Sequence, residues 1–275
     1  MKKRFLIFFF FIVVLGFNFP SRAQFTPEEV AERAKWEEFL KTAKIIKEEQ
    51  IVGREAITKP WQLTLEKDGI TRNALWKNPE GLQLGYIEGW RYEIAAYLMD
   101  KYLELNMVPP TVEKRFQENR GSCQLWVDYE MKLKDKNDKN IKIPSVKIFY
   151  WNRATYLQRA FDNLIANEDR HANNILITKD WRMYLIDHSR TFRTGKRFTK
   201  ELIYTAKHKE GPKLMSELPR AFVEKIKALN LDLIKSAVGE YLTDDEINAI
   251  LARKDLILQE IDRLIKEKGE EKVLY

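Results

Sequence analysis

Apolar residues recur along this chain at two spacings, and the spacings predict where helices and strands lie. Intervals of three and four residues favour helices over residues 86–105, 150–164 and 231–241. Two short apolar runs, at residues 175–177 and 183–186, flank a polar turn as the strands of a hairpin do. The chain is therefore predicted to be a mixed α and β protein whose last part is helical.

The first half of the chain contains the other predicted strands. Residues 59–66 and 70–76 are joined by Lys67-Asp68-Gly69, which is a turn signal. A second hairpin is predicted around residues 119–121, and its second strand leads into residues 128–131. These last residues are interpreted as a hinge between two halves of the protein.

Capping residues predict two further helix starts. Thr26, Pro27 and Glu29 form a capping box with proline at the first helical position, so residues 24–50 are interpreted as an N-terminal helix that braces the rest of the chain. Residues 243–246 form a second capping box and open the last helix.

Three polar side chains stand out after the predicted helix at 150–164. Two lie in the polar loop before the hairpin, and one lies at the end of the hairpin. They are Asp169, Asn174 and, at the end of the second strand, Asp187. Phosphoryl transfer needs such a set, because one aspartate orients the acceptor hydroxyl while an asparagine and another aspartate hold magnesium on the phosphates. In protein kinases the asparagine follows the catalytic aspartate by five positions, as Asn174 follows Asp169. A loop that only caps the helix would use the same side chains to bind backbone amides. The matching spacings favour the kinase interpretation.

The order Asp169-Arg170-His171 followed by Asn174, with Ile-Asp at the end of the hairpin, resembles the atypical kinases of the protein-kinase-like superfamily. The phosphoinositide 3- and 4-kinases carry a D-R-H-x-x-N loop, and the secretory-pathway kinases of the Golgi casein kinase type carry a similar N-x-D-R-H loop. HipA-type bacterial kinases are more distant. The resemblance implies an α+β fold of two lobes, with an antiparallel sheet in a small mixed N-lobe and a mainly helical C-lobe. It also implies ATP as the donor and Mg²⁺ or Mn²⁺ as the metal.

The same resemblance implies roles for the polar residues of the loop. Asp169 would orient or deprotonate the acceptor hydroxyl, and Asn174 and Asp187 would hold the metal ions. His171 is a second catalytic candidate, since the loop histidine lies at the chemistry in the phosphoinositide kinases, or else it only braces the loop. Arg170 is expected to pair with a nearby acid.

The nucleotide-binding residues of the N-lobe are also assigned by this resemblance. Lys77 follows the second predicted strand and would bind the α- and β-phosphates. Glu93, early in the next helix, would pair with Lys77, and Glu88 is the competing partner. The loop over the phosphates would hold a single glycine, Gly69, so the chain departs from the G-x-G-x-x-G pattern.

Domain boundaries follow from these assignments. The kinase-like domain is expected over residues 51–275, with an N-lobe at about 51–131 and a C-lobe at about 143–275. The charged interval between the lobes, residues 132–142, lacks the glycine and the distant glutamate of a calcium loop. It is interpreted as a solvated connection.

The first 23 residues have the layout of a secretory signal peptide. A basic start precedes an apolar core at residues 5–17, and small residues at 21–23 predict cleavage after residue 23. The apolar core is shorter than the ~20 residues that a membrane-spanning helix needs. Export with cleavage is therefore favoured over a retained membrane anchor, and no stable span is expected afterwards.

The charge of the chain gives no case for a nucleic-acid partner. Lysine and arginine outnumber the acids 48 to 41, but four of the basic residues lie in the leader, so the mature chain has 44 against 41. A near-neutral protein lacks the electrostatic footprint of a nucleic-acid-binding domain. The single cysteine, Cys123, cannot form an intramolecular disulfide and is interpreted as a small buried residue.

The sequence leaves the acceptor open among three hypotheses. The first is a protein kinase of the exported compartment, and the second is a kinase for a glycan, a lipid or another small molecule. The third is a nucleotide-binding pseudokinase or scaffold, because ATP is scarce outside the cytoplasm. A basic run at residues 190–200 would favour an acidic acceptor, or it is a solvated loop. His188 either lines the site or caps the strand.

Overall fold

Strands from the first half of the chain assemble into an antiparallel sheet, and helices from the second half pack into a larger lobe. The structure is a computed structural model and describes residues 24–53, 58–204 and 215–275. It confirms the predicted α+β architecture of a small mixed N-lobe and a mainly helical C-lobe. The leader predicted at residues 1–23 lies outside the described residues.

The N-lobe contains three helices and seven strands within the described residues. In chain order these are α1 (Pro27–Ala31), α2 (Arg33–Thr42), β1 (Lys44–Gln50), β2 (Trp61–Lys67), β3 (Ile70–Lys77), β4 (Glu80–Gln83), β5 (Tyr86–Gly89), α3 (Trp90–Leu103), β6 (Thr111–Phe116) and β7 (Asn119–Leu125). The described elements of the C-lobe are β8 (Met131–Lys132), α4 (Leu133–Asp138), α5 (Ser145–Leu164), β9 (Ile175–Ile177), β10 (Met183–Leu185), α6 (Lys196–Lys200), α7 (Arg220–Ala228), α8 (Leu231–Val238) and α9 (Asp244–Lys268).

The main sheet of the N-lobe has the order β1-β2-β3-β7-β6, and every neighbouring pair is antiparallel. Successive side chains of a strand point to opposite faces. In β3, Ala74 and Trp76 are buried in the core under α2, whereas Leu75 and Lys77 face the space between the lobes. One face of the strand therefore holds the sheet to α2, and the other supplies side chains to that space.

The predicted helix over residues 24–50 is wrong in its second half. The capping box at Thr26 is confirmed, but α2 ends at Thr42 and the chain continues as β1, which pairs with β2 along its whole length. The lysines and glutamates of this segment favour a helix locally. Pairing with the edge of the sheet overrides that preference, because strand formation depends mainly on the neighbouring strand.

The predicted helix over residues 86–105 begins later than expected. Its first residues form β5, which pairs with β4 through a two-residue turn at Leu84 and Gly85, with φ of 47° and 88°. Positive φ at both turn residues is typical of a tight β-hairpin. The helix α3 starts at Trp90 and ends where Glu104 takes a left-handed conformation.

The second predicted hairpin is confirmed as β6 and β7, but its turn is at Gln117 and Glu118 rather than around residues 119–121. Both turn residues have positive φ, 47° and 65°. Gly121 serves close packing instead, since an added Cβ would lie 2.6 Å from the carbonyl oxygen of Lys77 and 2.6 Å from the neighbouring indole ring. This glycine lets β7 lie directly against β3.

The polar loop and its flanking elements have the order that their pattern predicted: helix α5, loop, strand β9, tight turn and strand β10. The larger of two described apolar cores fills the C-lobe and also includes buried residues of α3. The capping box at Thr243, which opens α9, is confirmed. Residues 132–142, interpreted as a solvated connection, contain the short helix α4, none of whose residues is buried. Cys123 is buried, as expected.

Within the described ranges no helix combines the length and the apolar character needed to cross a membrane.

Candidate active site

A cleft of about 790 Å³ lies between the two lobes. One part of it is lined by apolar side chains from both lobes, among them Leu75, Val127, Leu176 and Ile186. The other part is lined by charged and polar side chains, which are Lys77, Glu88, Asp169, Asn174, Asp187 and Arg190. An apolar slot that continues into a polar one suits a ligand with a flat ring at one end and charges at the other.

Lys77, at the end of β3, links the two lobes. Its Nζ lies 2.9 Å from Glu93 Oε1 and 2.8 Å from Asp187 Oδ1. Burial opposes the charged form of Lys77, but the carboxylates of Asp187 and Glu93 outweigh it and raise its pKa. Burial likewise opposes the charged form of Glu93, but Lys77 and the nearby side chain of His188 lower its pKa. Lys77 and Glu93 are therefore both ionised at neutral pH.

Glu88, the competing partner for Lys77, lies next to the lysine site but binds Arg190 and Ser189 instead. Its Oε1 accepts hydrogen bonds from Nε and Nη2 of Arg190 at 2.9 and 2.8 Å, and its Oε2 accepts one from the hydroxyl of Ser189 at 2.9 Å. The same hydroxyl lies 3.3 Å from Asp187 Oδ1. Arg190 balances the buried charge of Glu88. Glu88 is thus an additional carboxylate next to Asp187 and does not pair with the lysine.

Asp169 and Asn174 lie on the opposite wall, in the loop between α5 and β9. Asn174 Nδ2 donates to the backbone carbonyl of Asp169 at 3.1 Å, which fixes the spacing of the two side chains. The carboxylate of Asp169 is 34% exposed and lies 3.3 Å from Nη1 of Arg190. His171 borders the cleft and caps the turn that follows, with its Nδ1 accepting from the amide of Asn173.

Arg170 holds this loop together through all five of its N–H donors. Its Nε and Nη2 reach the two carboxylate oxygens of Asp162 at 3.0 and 3.1 Å. Its Nη1 donates to the backbone carbonyls of Asn174 and Ile186 at 2.9 and 2.7 Å, and Nη2 lies 2.8 Å from His188 Nε2. The side chains of Arg170 and Asp162 are 1% and 0% exposed. This buried pair joins α5, the loop and the end of β10.

His188 neither lines the cleft nor caps the strand, because it is fully buried behind the cleft wall. Its backbone amide donates to Glu93 Oε2 at 2.9 Å. Burial, together with the guanidinium of Arg170, lowers the pKa of His188. The imidazole is therefore neutral at neutral pH.

Asp187 has a left-handed backbone conformation, with φ of 61°. Aspartate tolerates this conformation better than most residues, yet it remains uncommon outside glycine. Backbone strain of this kind is concentrated at functional sites. The bend follows directly after β10 and brings the carboxylate to Lys77.

Gly69 lies away from the cleft, so its predicted place over the phosphates is wrong. It forms the β2–β3 turn with Asp68, at the opposite end of β3 from Lys77 and roughly 26 Å away along the strand. The connection between β1 and β2 borders the cleft instead, through residues 51–53. The prediction was wrong because the segment of β1 was assigned to a helix. The turn between β2 and β3 was therefore taken as the loop over the phosphates, whereas the connection between β1 and β2 is the one that borders the cleft.

No protein-family model matches this sequence, and no curated protein matches it. Among solved structures, that of hydra Fam20 with sugar aligns with a TM-score of 0.64 at 15% identity, over 91% of this chain and 93% of that chain. The Golgi casein kinase with Mn and ADP bound aligns with a TM-score of 0.61 at 14% identity, over 91% and 79% of the two chains. A second structure of the Golgi casein kinase gives a TM-score of 0.60 at 14% identity, over 88% and 79%.

The chain has an atypical protein-kinase-like fold. The alignments span both lobes, which confirms the architecture expected from the D-R-H-x-x-N loop. Identities near 15% establish the fold and leave the activity to the residues of the cleft.

The kinase-like cleft supplies oxygen ligands for a divalent cation without enclosing it. In the part of the chain that the structure describes, no three His, Cys, Asp or Glu side chains form a metal-binding cluster. The carboxylate of Asp187 is 36% exposed, and Glu88 lies beside it. The amide nitrogen of Asn174 is engaged, which leaves its oxygen for a cation. Mg²⁺ commonly takes one or two carboxylates and completes its shell with phosphate oxygens and water. The residues therefore fit a metal ion that arrives with a nucleotide.

The basic run at residues 190–200 divides into two parts. Arg190 is bound to Glu88, and Arg193 binds Glu168 and a backbone carbonyl of β5, each at 2.8 Å. These two arginines hold the segment after Asp187 against the β4–β5 hairpin. The other basic residues of the run are exposed on or beside α6: Lys196, Arg197 and Lys200.

Asp162 was not identified from the sequence. It is a lone acid among the buried residues of α5, and its side chain is fully buried. A buried carboxylate requires a hydrogen-bonded or charged partner. The position of this acid among apolar residues of the helix, shortly before Arg170, could therefore have indicated a buried ion pair.

Proposed function

We propose that this protein is an ATP-dependent kinase that transfers the γ-phosphoryl group to an alcohol group. The observation that carries the proposal is the convergence of Lys77, Glu93 and Asp187 with Asp169 and Asn174 around one cleft. In kinases a lysine–glutamate pair and a metal-binding aspartate must both be in place for transfer. The pair is present here with both partners buried.

The cleft provides different surroundings for the two ends of ATP. Leu75 from the N-lobe and Leu176 and Ile186 from the C-lobe would enclose the adenine ring. Backbone groups of the connection that follows β7, at residues 125–129, would bind the edge of the ring, and this connection overlaps the hinge predicted at residues 128–131. Lys77 would bind the phosphates, since it lies at the polar end of the same cleft. Apolar contact and a few placed polar groups are what such a site uses for affinity and orientation.

Asp187 and Asn174 would hold Mg²⁺ or Mn²⁺, with Glu88 as a further oxygen donor. When bound, the ion neutralises charge on the phosphate oxygens. Glu93 would keep Lys77 in place, because the pair is buried and its two charged groups lie 2.9 Å apart. Arg190 would restrain the carboxylate of Asp169 across the cleft.

Asp169 would orient the acceptor hydroxyl and take up its proton. As the acceptor oxygen bonds to the γ-phosphorus, the bond from that phosphorus to the β–γ bridging oxygen breaks, and ADP leaves with the electron pair. Positioning of this kind, with charge neutralisation, accounts for most of catalysis in phosphoryl transfer. His171 is proposed to brace the loop from the rim of the cleft, where it can also reach a bound substrate.

We further propose a protein hydroxyl as the acceptor and an exported location for the enzyme. The leader at residues 1–23 supports export. The names of the similar structures support two acceptor classes, since one is a casein kinase and the other was crystallised with sugar. A sugar hydroxyl is therefore the second candidate acceptor.

Transfer from radiolabelled ATP tests the proposal directly. Purified protein is incubated with MgATP or MnATP and with either dephosphorylated casein or a panel of free sugars. We expect label on casein, and at least a hundredfold loss of transfer in Asp169→Asn and in Asp187→Ala. Asp180→Asn is the matched control, because this aspartate lies in the β9–β10 turn outside the cleft and should leave transfer unchanged.

Three results would count against the proposal. Label on a sugar and not on casein would replace the protein acceptor. ATP binding without transfer to any acceptor would indicate a nucleotide-binding scaffold, and absence of ATP binding by the wild type would overturn the kinase assignment. Mass spectrometry of the exported protein should find Gln24 as its first residue, and an intact Met1 would contradict cleavage.

A further inference from the structure

His188 stands where the usual kinase pattern after the metal-binding aspartate has phenylalanine. Its side chain is completely buried, between α3 and the loop that carries Asp169. A buried imidazole must have its nitrogens satisfied or it costs stability. Its hydrogen bonds therefore indicate what the histidine does there.

One side of the imidazole faces Arg170. Four of the five N–H donors of this arginine are used by Asp162 and by the backbone carbonyls of Asn174 and Ile186. The fifth lies 2.8 Å from Nε2 of His188. Arginine can only donate, so Nε2 must be the accepting nitrogen and Nδ1 must carry the proton.

The other side of His188 faces Glu93. The backbone amide donates to Glu93 Oε2 at 2.9 Å. The protonated Nδ1 lies 3.7 Å from the same oxygen, which is too far for a hydrogen bond, and no other group within the described residues accepts from it. The second oxygen of Glu93 accepts from Lys77 at 2.9 Å. A single residue thus contacts both the arginine of the loop and the glutamate that positions the lysine.

We propose that His188 is a positioning residue that couples the loop bearing Asp169 to Glu93 and, through it, to Lys77. The chain of contacts runs from Asp162 through Arg170, His188 and Glu93 to Lys77. When the loop is assembled, Arg170 holds the ring of His188, and this keeps the backbone amide of the same residue within hydrogen-bond distance of Glu93. When Arg170 lacks its fifth acceptor, the loop and α3 lose this connection.

The inference rests on the proposed function for its catalytic consequence, and three substitutions of His188 test it. Glutamine can place its amide oxygen near the position of Nε2, whereas asparagine is too short to reach Arg170 and phenylalanine has no acceptor. We expect His188→Gln to keep both its affinity for MgATP and its rate of phosphate release from MgATP within about threefold of wild type. We expect His188→Phe and His188→Asn to lose about ten- to hundredfold in both, because a buried N–H is left without a partner.

A purely structural role would give a different result. Phe192→Leu is the matched control, since Phe192 is buried in the same segment and packs against Tyr92 without bonding to Arg170 or Glu93. This variant should lower the melting temperature while leaving the dissociation constant of MgATP unchanged. If His188→Phe behaves in the same way, or if His188→Gln is as impaired as His188→Phe, the coupling is wrong.

A spectroscopic measurement keeps the proposal testable even if His188→Phe fails to fold. The chain has three histidines, so selective ¹⁵N-histidine labelling gives a spectrum that can be assigned by single substitutions. At neutral pH the ring of His188 should be the Nδ1–H tautomer in the wild-type protein. An Nε2–H tautomer would overturn the proposal. This readout needs no nucleotide, so it is independent of whether the wild type binds MgATP, which is the test of the proposed function.

Discussion

Replacing Lys77 by methionine should separate stability from chemistry in this cleft. Methionine keeps an apolar stem but removes the ammonium that lies 2.9 Å from Glu93 and 2.8 Å from Asp187. Glu93 is 3% exposed and would keep only the amide of His188 close to its carboxylate. Removing one partner of a buried ion pair costs about 3–5 kcal/mol of unfolding free energy. Asp187 should add little to this cost, because it is partly exposed to water.

That free energy corresponds to a large thermal shift. For a chain of this size, 1 kcal/mol lowers Tm by about 2–4 °C, so Lys77→Met should unfold roughly 6–20 °C below wild type. The double variant Lys77→Met/Glu93→Gln removes both charges and should recover most of the stability, since replacing a buried pair as a whole is often neutral. Neither variant should bind MgATP with wild-type affinity, because both lack the cation for the phosphates.

The deficit of Lys77→Met should also depend on pH. In the wild type Glu93 has a pKa below its ordinary value of 4.5, because Lys77 and the side chain of His188 outweigh burial. Its contribution to stability is therefore present above pH 4.5 and is lost as the pH falls below it. Without Lys77, burial should raise the pKa of Glu93, so this variant should lose stability as the pH rises. The gap between the two proteins should consequently shrink between pH 7 and pH 4.

Circular dichroism melts at pH 7 and pH 4, with calorimetric titration of MgATP, measure these quantities. Lys47→Met is the matched control, since this lysine is 71% exposed on β1 and should change Tm by little. The reasoning from the buried ion pair is refuted if Lys77→Met has the same Tm as the wild type. It is also refuted if the double variant is as unstable as Lys77→Met.

Three further predictions concern other parts of the fold. Arg33→Met should lower the unfolding free energy by about 3–5 kcal/mol in a thermal melt, because Asp100, its partner at 3.1 Å, has a fully buried side chain. Lys35→Met, on the exposed side of the same helix, should change the unfolding free energy by less than ~0.5 kcal/mol. Gly121→Ala should lower the unfolding free energy by about 1–3 kcal/mol and weaken MgATP binding, because the added methyl group would displace β3. If stability and MgATP affinity are both unchanged, β7 does not pack closely on this strand. Leu176→Trp should fill the apolar end of the cleft and weaken MgATP binding at least tenfold in a calorimetric titration, and undiminished affinity would show that the base binds elsewhere.

Several elements could be predicted because their signals are local. The capping boxes at Thr26 and Thr243 need only residues three positions apart, and both are present. The hairpin of β9 and β10 follows from two short apolar runs on either side of a polar turn. The separation of Asp169 and Asn174 within one loop likewise ensures that the two residues lie close together.

Errors arose where a neighbour in space decides the outcome. The segment of β1 has the composition of a helix and becomes a strand because β2 offers it an edge. Once β1 was missed, the turn at Gly69 was taken for the loop over the phosphates. Gly121 looked like a turn residue, whereas its lack of a side chain serves the contact with β3.

The sequence by itself determined the mixture of strands and helices, the loop with Asp169 and Asn174, and the place of Asp187 at the end of a strand, whereas the two-lobed plan was implied by the resemblance of that loop to atypical kinases. Periodicity, capping and short spacings are properties of neighbouring residues, so they can be read along the chain. Only the tertiary structure decided that Lys77 pairs with Glu93 and not with Glu88. A lysine and a glutamate sixteen positions apart meet only because the fold brings the end of β3 next to the first turn of α3, and burial then requires each charge to have its partner.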